Sequence, residues 1–112
     1  MSVESPVEAQ FIAYNAHDID AFIACFADDF KGYRMPAESP SMVGKVALKE
    51  FYINNRFNNP ALKAELLSRI VLGNKVFDHE YIYGLTPEPL ASVAVFEIEN
   101  KLIKTAWFYF PS

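Results

Sequence analysis

Apolar side chains recur along this chain with two different periods, and the change of period divides it. From Val3 through Val7, Phe11 and Tyr14 the spacing is three or four residues, which predicts an amphipathic helix. Pro6 suits its first turn, where a missing N–H is not needed. Asn15 to Asp18 interrupts the pattern. Asp18 is a natural N-cap for a second helix, with Asp20 at its positive end and Ile19, Phe22, Ile23 and Phe26 tracing its apolar face. Asp28 and Asp29 are expected to close that helix. Phe30 to Met35 reads as a short strand stopped by Pro36, and Ala37 to Gly44 as a loop. A third helix is predicted from Lys45 to about Arg56, turning Leu48, Phe51 and Tyr52 inward and ended by Asn58, Asn59 and Pro60.

Beyond Pro60 the character changes. Leu62 to Leu72, Lys75 to Tyr83, Leu90 to Glu99 and Leu102 to Phe110 are long β-rich runs and read as strands. Gly73-Asn74 and Glu99-Asn100 supply turn signals, and Gly84 to Pro89 is a proline-containing connection. Helices grouped ahead of a strand meander indicate α+β and not alternating α/β. A long twisted antiparallel sheet curls, and its concave face needs a cover. Three N-terminal helices packed on a curved, mixed, mostly antiparallel sheet give a cone-shaped roll whose wide end can stay open. Residues 1–112 are expected to form one domain.

Composition supports a packed interior. The chain is 52% hydrophobic and 15% aromatic, enough apolar surface to offset the entropy of ordering, so disorder is excluded. Net charge is −4 with no basic stripe, so a nucleic-acid partner is not expected. No run approaches the roughly 20 apolar residues of a membrane helix, and MSVESPVEAQ lacks the basic and apolar regions of a signal peptide. Cys25, the single cysteine, has no intrachain partner, which suits a reducing cytoplasm. His17 and His79 show no ligand spacing, and there is no glycine-rich phosphate loop or serine nucleophile elbow. Neither a metal nor a cofactor is expected.

NAHDIDAFIACFADDF, followed by VGKVALKEFYINNRF, GNKVFDHEYIYG and KLIKTAWFYF, resembles the nuclear transport factor 2-like superfamily across nearly the whole chain. Within it the likeness is to the SnoaL-like and steroid Δ-isomerase-like branch. The resemblance implies the cystatin-like cone with a pocket, and says little of chemistry, because the fold hosts many reactions. An isomerase of this branch needs a carboxylate base and two acidic donors, a tyrosine and a protonated aspartic acid, for the enolate oxygen. By register these positions hold Arg34, Gln10 and Ala94, while the supporting tyrosine remains as Tyr52. The Asp-Arg-Asp set of limonene epoxide hydrolase falls on Glu80, Ile82 and Trp107. A standard ketosteroid isomerase is therefore not expected.

Alternation places Asp78, Glu80 and Ile82 on one strand face, with Phe77, His79 and Tyr81 on the other. The resemblance turns the first set toward the pocket. Two carboxylates in an apolar cavity would titrate high and could move protons; they could equally be solvated at the mouth or paired with Arg69 or Arg34. Arg34 either stabilises charge on a carboxylate or enolate or pairs with Glu80. Asp78, Glu80 and Arg34 are the candidate catalytic residues. The resemblance implies a ligand site lined by Gln10, Tyr14, Phe26, Phe30, Phe51, Tyr52, Ile82, Ala94 and Trp107. Trp107, sharing a face with Thr105 and Tyr109, would narrow the pocket below steroid size. Phe96, Phe108 and Phe110 are expected on an apolar outer sheet face, where the family implies a two-fold homodimer. Two functions stay open: isomerisation, cyclisation or hydration of a small hydrophobic carbonyl compound, or non-catalytic ligand or protein binding on the same fold.

Overall fold

Helix α1 (Ser5–Ala16) starts with proline in its first turn and buries Val7, Gln10, Ala13 and Tyr14, a stripe at helical spacing. The computed structural model to which it belongs describes residues 2–111, so Met1 and Ser112 of the predicted domain lie outside the described residues. His17 ends α1 in the left-handed conformation, with φ 54°. The turn there is tied to the sheet. Asn15 donates through Nδ2 to the Ala64 carbonyl at 3.0 Å and accepts the Ala64 N–H through Oδ1 at 2.7 Å. His17 donates through Nε2 to the Leu62 carbonyl at 2.8 Å and stacks on Phe57. Asp18 then accepts the Ala21 N–H, capping α2 (Ile19–Ile23) as predicted.

The second helix is shorter than its apolar spacing suggests. It ends at Ile23, and Phe26 opens strand β1 (Phe26–Arg34), so Asp28 and Asp29 lie inside a strand. A helix of five residues gains little from its own hydrogen bonds, and Phe26 instead pairs in parallel with Ile103. The predicted loop contains a two-residue strand, β2 (Met42–Val43), that pairs with β1 and leads into α3 (Gly44–Asn55). Strands β3 (Lys63–Leu72), β4 (Lys75–Tyr83), β5 (Leu90–Glu99) and β6 (Leu102–Tyr109) follow close to their predicted bounds. The β5–β6 turn is Asn100-Lys101, one residue later than predicted, with both residues at positive φ as a primed hairpin turn requires.

The sheet order is β2-β1-β6-β5-β4-β3, with β1 and β6 parallel and every other pair antiparallel. This is the α+β roll the sequence predicts: helices on one face of a mixed, mostly antiparallel sheet. Two bulges set its inner face. In β3, Leu66 opposes Glu80 but Ser68 opposes His79, so Leu67 is an extra residue and Arg69 comes opposite Asp78. In β6, Ile98 opposes Ile103 but Glu97 opposes Thr105, so Lys104 is extra. Each bulge bends its strand and advances the alternation by one. After Lys104 the inward residues are Ala106 and Phe108, and Thr105, Trp107 and Tyr109 turn outward.

Candidate active site

Between α1, α3 and the concave sheet face lies a cavity of about 220 Å³. Its wall combines aromatic rings, among them Phe22, Phe26, Phe51, Phe96 and Phe108, with the polar side chains of Gln10, Tyr14, Arg34, Tyr52, Arg56, Glu80 and Ser92. Pockets for drug-sized ligands run to roughly 300–1,000 Å³, so this chamber suits a smaller molecule.

Glu80 is the unusual group. It leaves only 9% of its surface exposed, sits opposite Ser92 on the inner face, and contributes to the cavity wall. None of the ion pairs among the described residues includes it. Burial, reinforced by the charge of Asp78 and only partly opposed by Arg69, pushes its pKa up to about 7. A carboxyl group that changes charge near neutrality, facing a small chamber, is able both to accept and to return a proton.

Asp78 corrects the expectation that both carboxylates face the pocket. It is fully buried but absent from the cavity wall, and Arg69 holds it through two bonds, Nε to Oδ1 at 2.7 Å and Nη2 to Oδ2 at 2.9 Å. The remaining arm of Arg69 reaches Glu8 of α1 at 2.8 Å. Both acceptors raise the guanidinium pKa, Asp78 through the larger effect. Arg69 therefore pairs with Asp78 and leaves Glu80 without a cation of its own. The open alternative of an Asp78–Arg69 pair is the one the geometry adopts.

Gln10, Tyr14, Phe26, Arg34, Phe51, Tyr52, Ile82 and Ala94 all line the cavity. Phe30 does not; it is wholly buried, packed edge-on against Phe26. Trp107 does not either. The bulge at Lys104 sends it to the outer sheet face, where it stacks on Tyr33 with ring centroids 6.2 Å apart. For the same reason Phe108 and Phe110, expected outside, line the chamber. Phe96, also expected outside, lines it because it shares the inner face of β5 with Ser92 and Ala94, and these phenyl rings rather than an indole narrow the space. Arg34 lies over the Phe110 ring, 4.3 Å from its centroid, and has no carboxylate partner among the described residues. Sequence reasoning missed Arg56 and Ser92. Ser92 was legible as the inward neighbour of Ala94, and Arg56 as the residue four positions after the inward-turned Tyr52.

Among the described residues no group of three or more His, Cys, Asp or Glu side chains is placed to hold a metal. No helix among them is long and apolar enough to cross a membrane.

Comparison with solved structures shows the cystatin-like, nuclear transport factor 2-like fold. It is similar to a cystatin fold protein from Novosphingobium aromaticivorans, with TM-score 0.86, 23% identity, and 96% of this chain and 97% of that chain covered. It is also similar to a candidate ketosteroid isomerase from Kribbella flavida, with TM-score 0.84, 15% identity, and 98% and 78% covered. A third similar structure is an LEH-like epoxide hydrolase from M. tuberculosis, with TM-score 0.77, 18% identity, and 97% and 82% covered. At these identities the likeness is one of fold. The family is given by sequence: residues 7–106 match the SnoaL-like domain, and the chain belongs to that family. No curated protein sequence matches it.

The state of Glu80 has a consequence for stability. Between its ordinary value of 4.5 and about 7, the folded chain keeps a proton that the unfolded chain has lost. Its stabilising contribution is complete below the unfolded value and is lost as pH rises through the folded one, a change of about 3 kcal/mol. Urea unfolding across this range is expected to show Glu80→Gln gaining on the parent chain by about that amount as pH rises. A difference between the two that is independent of pH would contradict it.

Proposed function

We propose that the chain is a single-domain ligand chamber for a small hydrophobic carbonyl compound, with Glu80 as its general acid/base. The observation that carries this reading is the Glu80 carboxyl, buried at the cavity wall without an ionic partner and poised near neutrality. As a carboxylate it takes a proton from the carbon beside the carbonyl, and the electron pair moves to oxygen as an enolate. As the acid so formed it returns the proton to another carbon, completing an isomerisation. Arg34, at the cavity wall with a permanently charged guanidinium, is the proposed stabiliser of the developing negative charge. Asp78 acts at a distance: its charge helps to hold Glu80 in its high-pKa state.

A non-catalytic binding role draws on a different observation. Gln10, Arg34 and Ala94 all face the chamber at the positions where an isomerase of this branch carries its catalytic groups, and none can do their work. Cyclohexenone in deuterium oxide separates the two readings. Catalysed exchange of its α-protons, half-maximal near pH 7 as Glu80 ionises and abolished in Glu80→Gln, is the expected outcome. Exchange no faster than in buffer would leave binding alone, and equal exchange by the variant would remove Glu80 from the chemistry.

The proposed setting is the cytoplasm, where a lone thiol such as Cys25 stays reduced. The proposed assembly is a homodimer through the outer sheet face, which presents Trp107 stacked on Tyr33 together with the exposed Tyr109. Sedimentation equilibrium is expected to give a dimer that Trp107→Asp converts to a monomer. A monomeric parent chain would contradict this assembly.

A further inference from the structure

Arg56 follows the last residue of α3, with its guanidinium 5.0 Å from the Phe51 ring centroid and part of the cavity wall. One of its nitrogens, Nη1, donates to the Asn55 carbonyl at 3.1 Å. No carboxylate among the described residues pairs with it. Tyr14 and Tyr52 line the same cavity with their rings edge to face, centroids 6.3 Å apart. The side-chain hydrogen bonds of the described residues give neither hydroxyl a protein acceptor; the tyrosine hydroxyl that has one is Tyr83, bonded to Glu65. Arg56 stands close enough to act on both phenols, and burial, the largest influence on each, keeps them protonated and so able to donate.

The cavity wall thus brings a guanidinium without a carboxylate partner beside two protonated phenols, and the nearby Glu80 is held neutral below about pH 7. Hydrogen bonds to a charged acceptor are stronger than neutral ones, so an anion is the acceptor that this set of donors binds best. A guanidinium offers a planar fork that suits a carboxylate, and two neutral phenols add donors without adding charge. The small cavity volume and the phenyl rings around it leave room for a compact apolar body.

We propose that Arg56, Tyr14 and Tyr52 form an anion subsite, and that the chamber takes a small organic monocarboxylate whose charged end docks there with its apolar body against Phe22 and Phe51. This rests on the reading of the cavity as a ligand chamber, and it narrows the ligand class: the carbonyl compound also carries an acid group. Arg56 and the two tyrosines act here as binding and positioning residues, with Glu80 left for the proton.

The test is an NMR titration of the labelled protein with benzoate, its neutral analogue benzamide, and inorganic phosphate. Benzoate is expected to shift the amides of cavity residues such as Ala94 and Phe96 and to bind at least about tenfold more tightly than benzamide. Arg56→Gln is expected to erase that preference while benzamide binding stays, and Arg56→Lys to restore part of it. Tyr14→Phe weakens benzoate alone, and Lys101→Gln, the same charge change on the exposed β5–β6 turn, alters neither. Equal affinities for benzoate and benzamide in the parent chain would overturn the subsite while leaving the chamber intact. So would a loss of preference in Arg34→Gln with none in Arg56→Gln. Phosphate binding more tightly than benzoate would overturn the carboxylate class. If no probe shifts the cavity amides, the chamber reading fails along with the subsite.

Discussion

Arg69 holds the architecture of the site together. It lies on β3, grips the buried Asp78 of β4 with two bonds, and extends its third contact to Glu8 near the start of α1. At the other end of α1, Asn15 closes a two-bond clamp on Ala64 of the same strand. The helix is therefore pinned to β3 at both ends, and the residues between the pins, Gln10 and Tyr14, are held over the concave face. A helix anchored in this way roofs the curled sheet without filling it.

The same pairing decides the chemistry. Two carboxylates from one face of β4 compete for one nearby cation, and Asp78 takes it because the bulge at Leu67 brings Arg69 opposite it. Glu80 is left to face the chamber with Asp78's charge behind it and burial raising its pKa. A charge that would be costly to bury is avoided by keeping the proton, which is what makes the group responsive near neutral pH. Around it the wall pairs apolar rings with guanidinium and phenol donors.

Much of the fold was legible in the chain, and the exceptions have local causes. The strand runs, the Asp18 cap and the third helix follow from periodicity and turn chemistry, which act within a few residues. Phe26 continues a helical stripe and yet belongs to β1, because its partner Ile103 lies far along the sequence. Trp107 and Phe108 exchange faces because an extra residue at Lys104 changes the alternation, and no glycine or proline marks that bulge. Alternation correctly put Asp78 and Glu80 on the same face, but which of them Arg69 reaches depends on a second unmarked bulge. Arg56 follows the inward-turned Tyr52 by four residues, a spacing that puts both on one helix face, whereas its approach to Tyr14 of α1 is a product of tertiary packing.

Glu80 lies shielded from water with no cation of its own, and the rest of the site follows from that. Carbon-detected NMR titration of the Glu80 side-chain carboxyl reads this directly. A midpoint near 7 is predicted, moving toward the ordinary range when Asp78 is replaced by asparagine and its charge removed. A midpoint at the ordinary 4.5 in the parent chain would mean a solvated or paired carboxylate and would contradict a shielded, proton-holding Glu80.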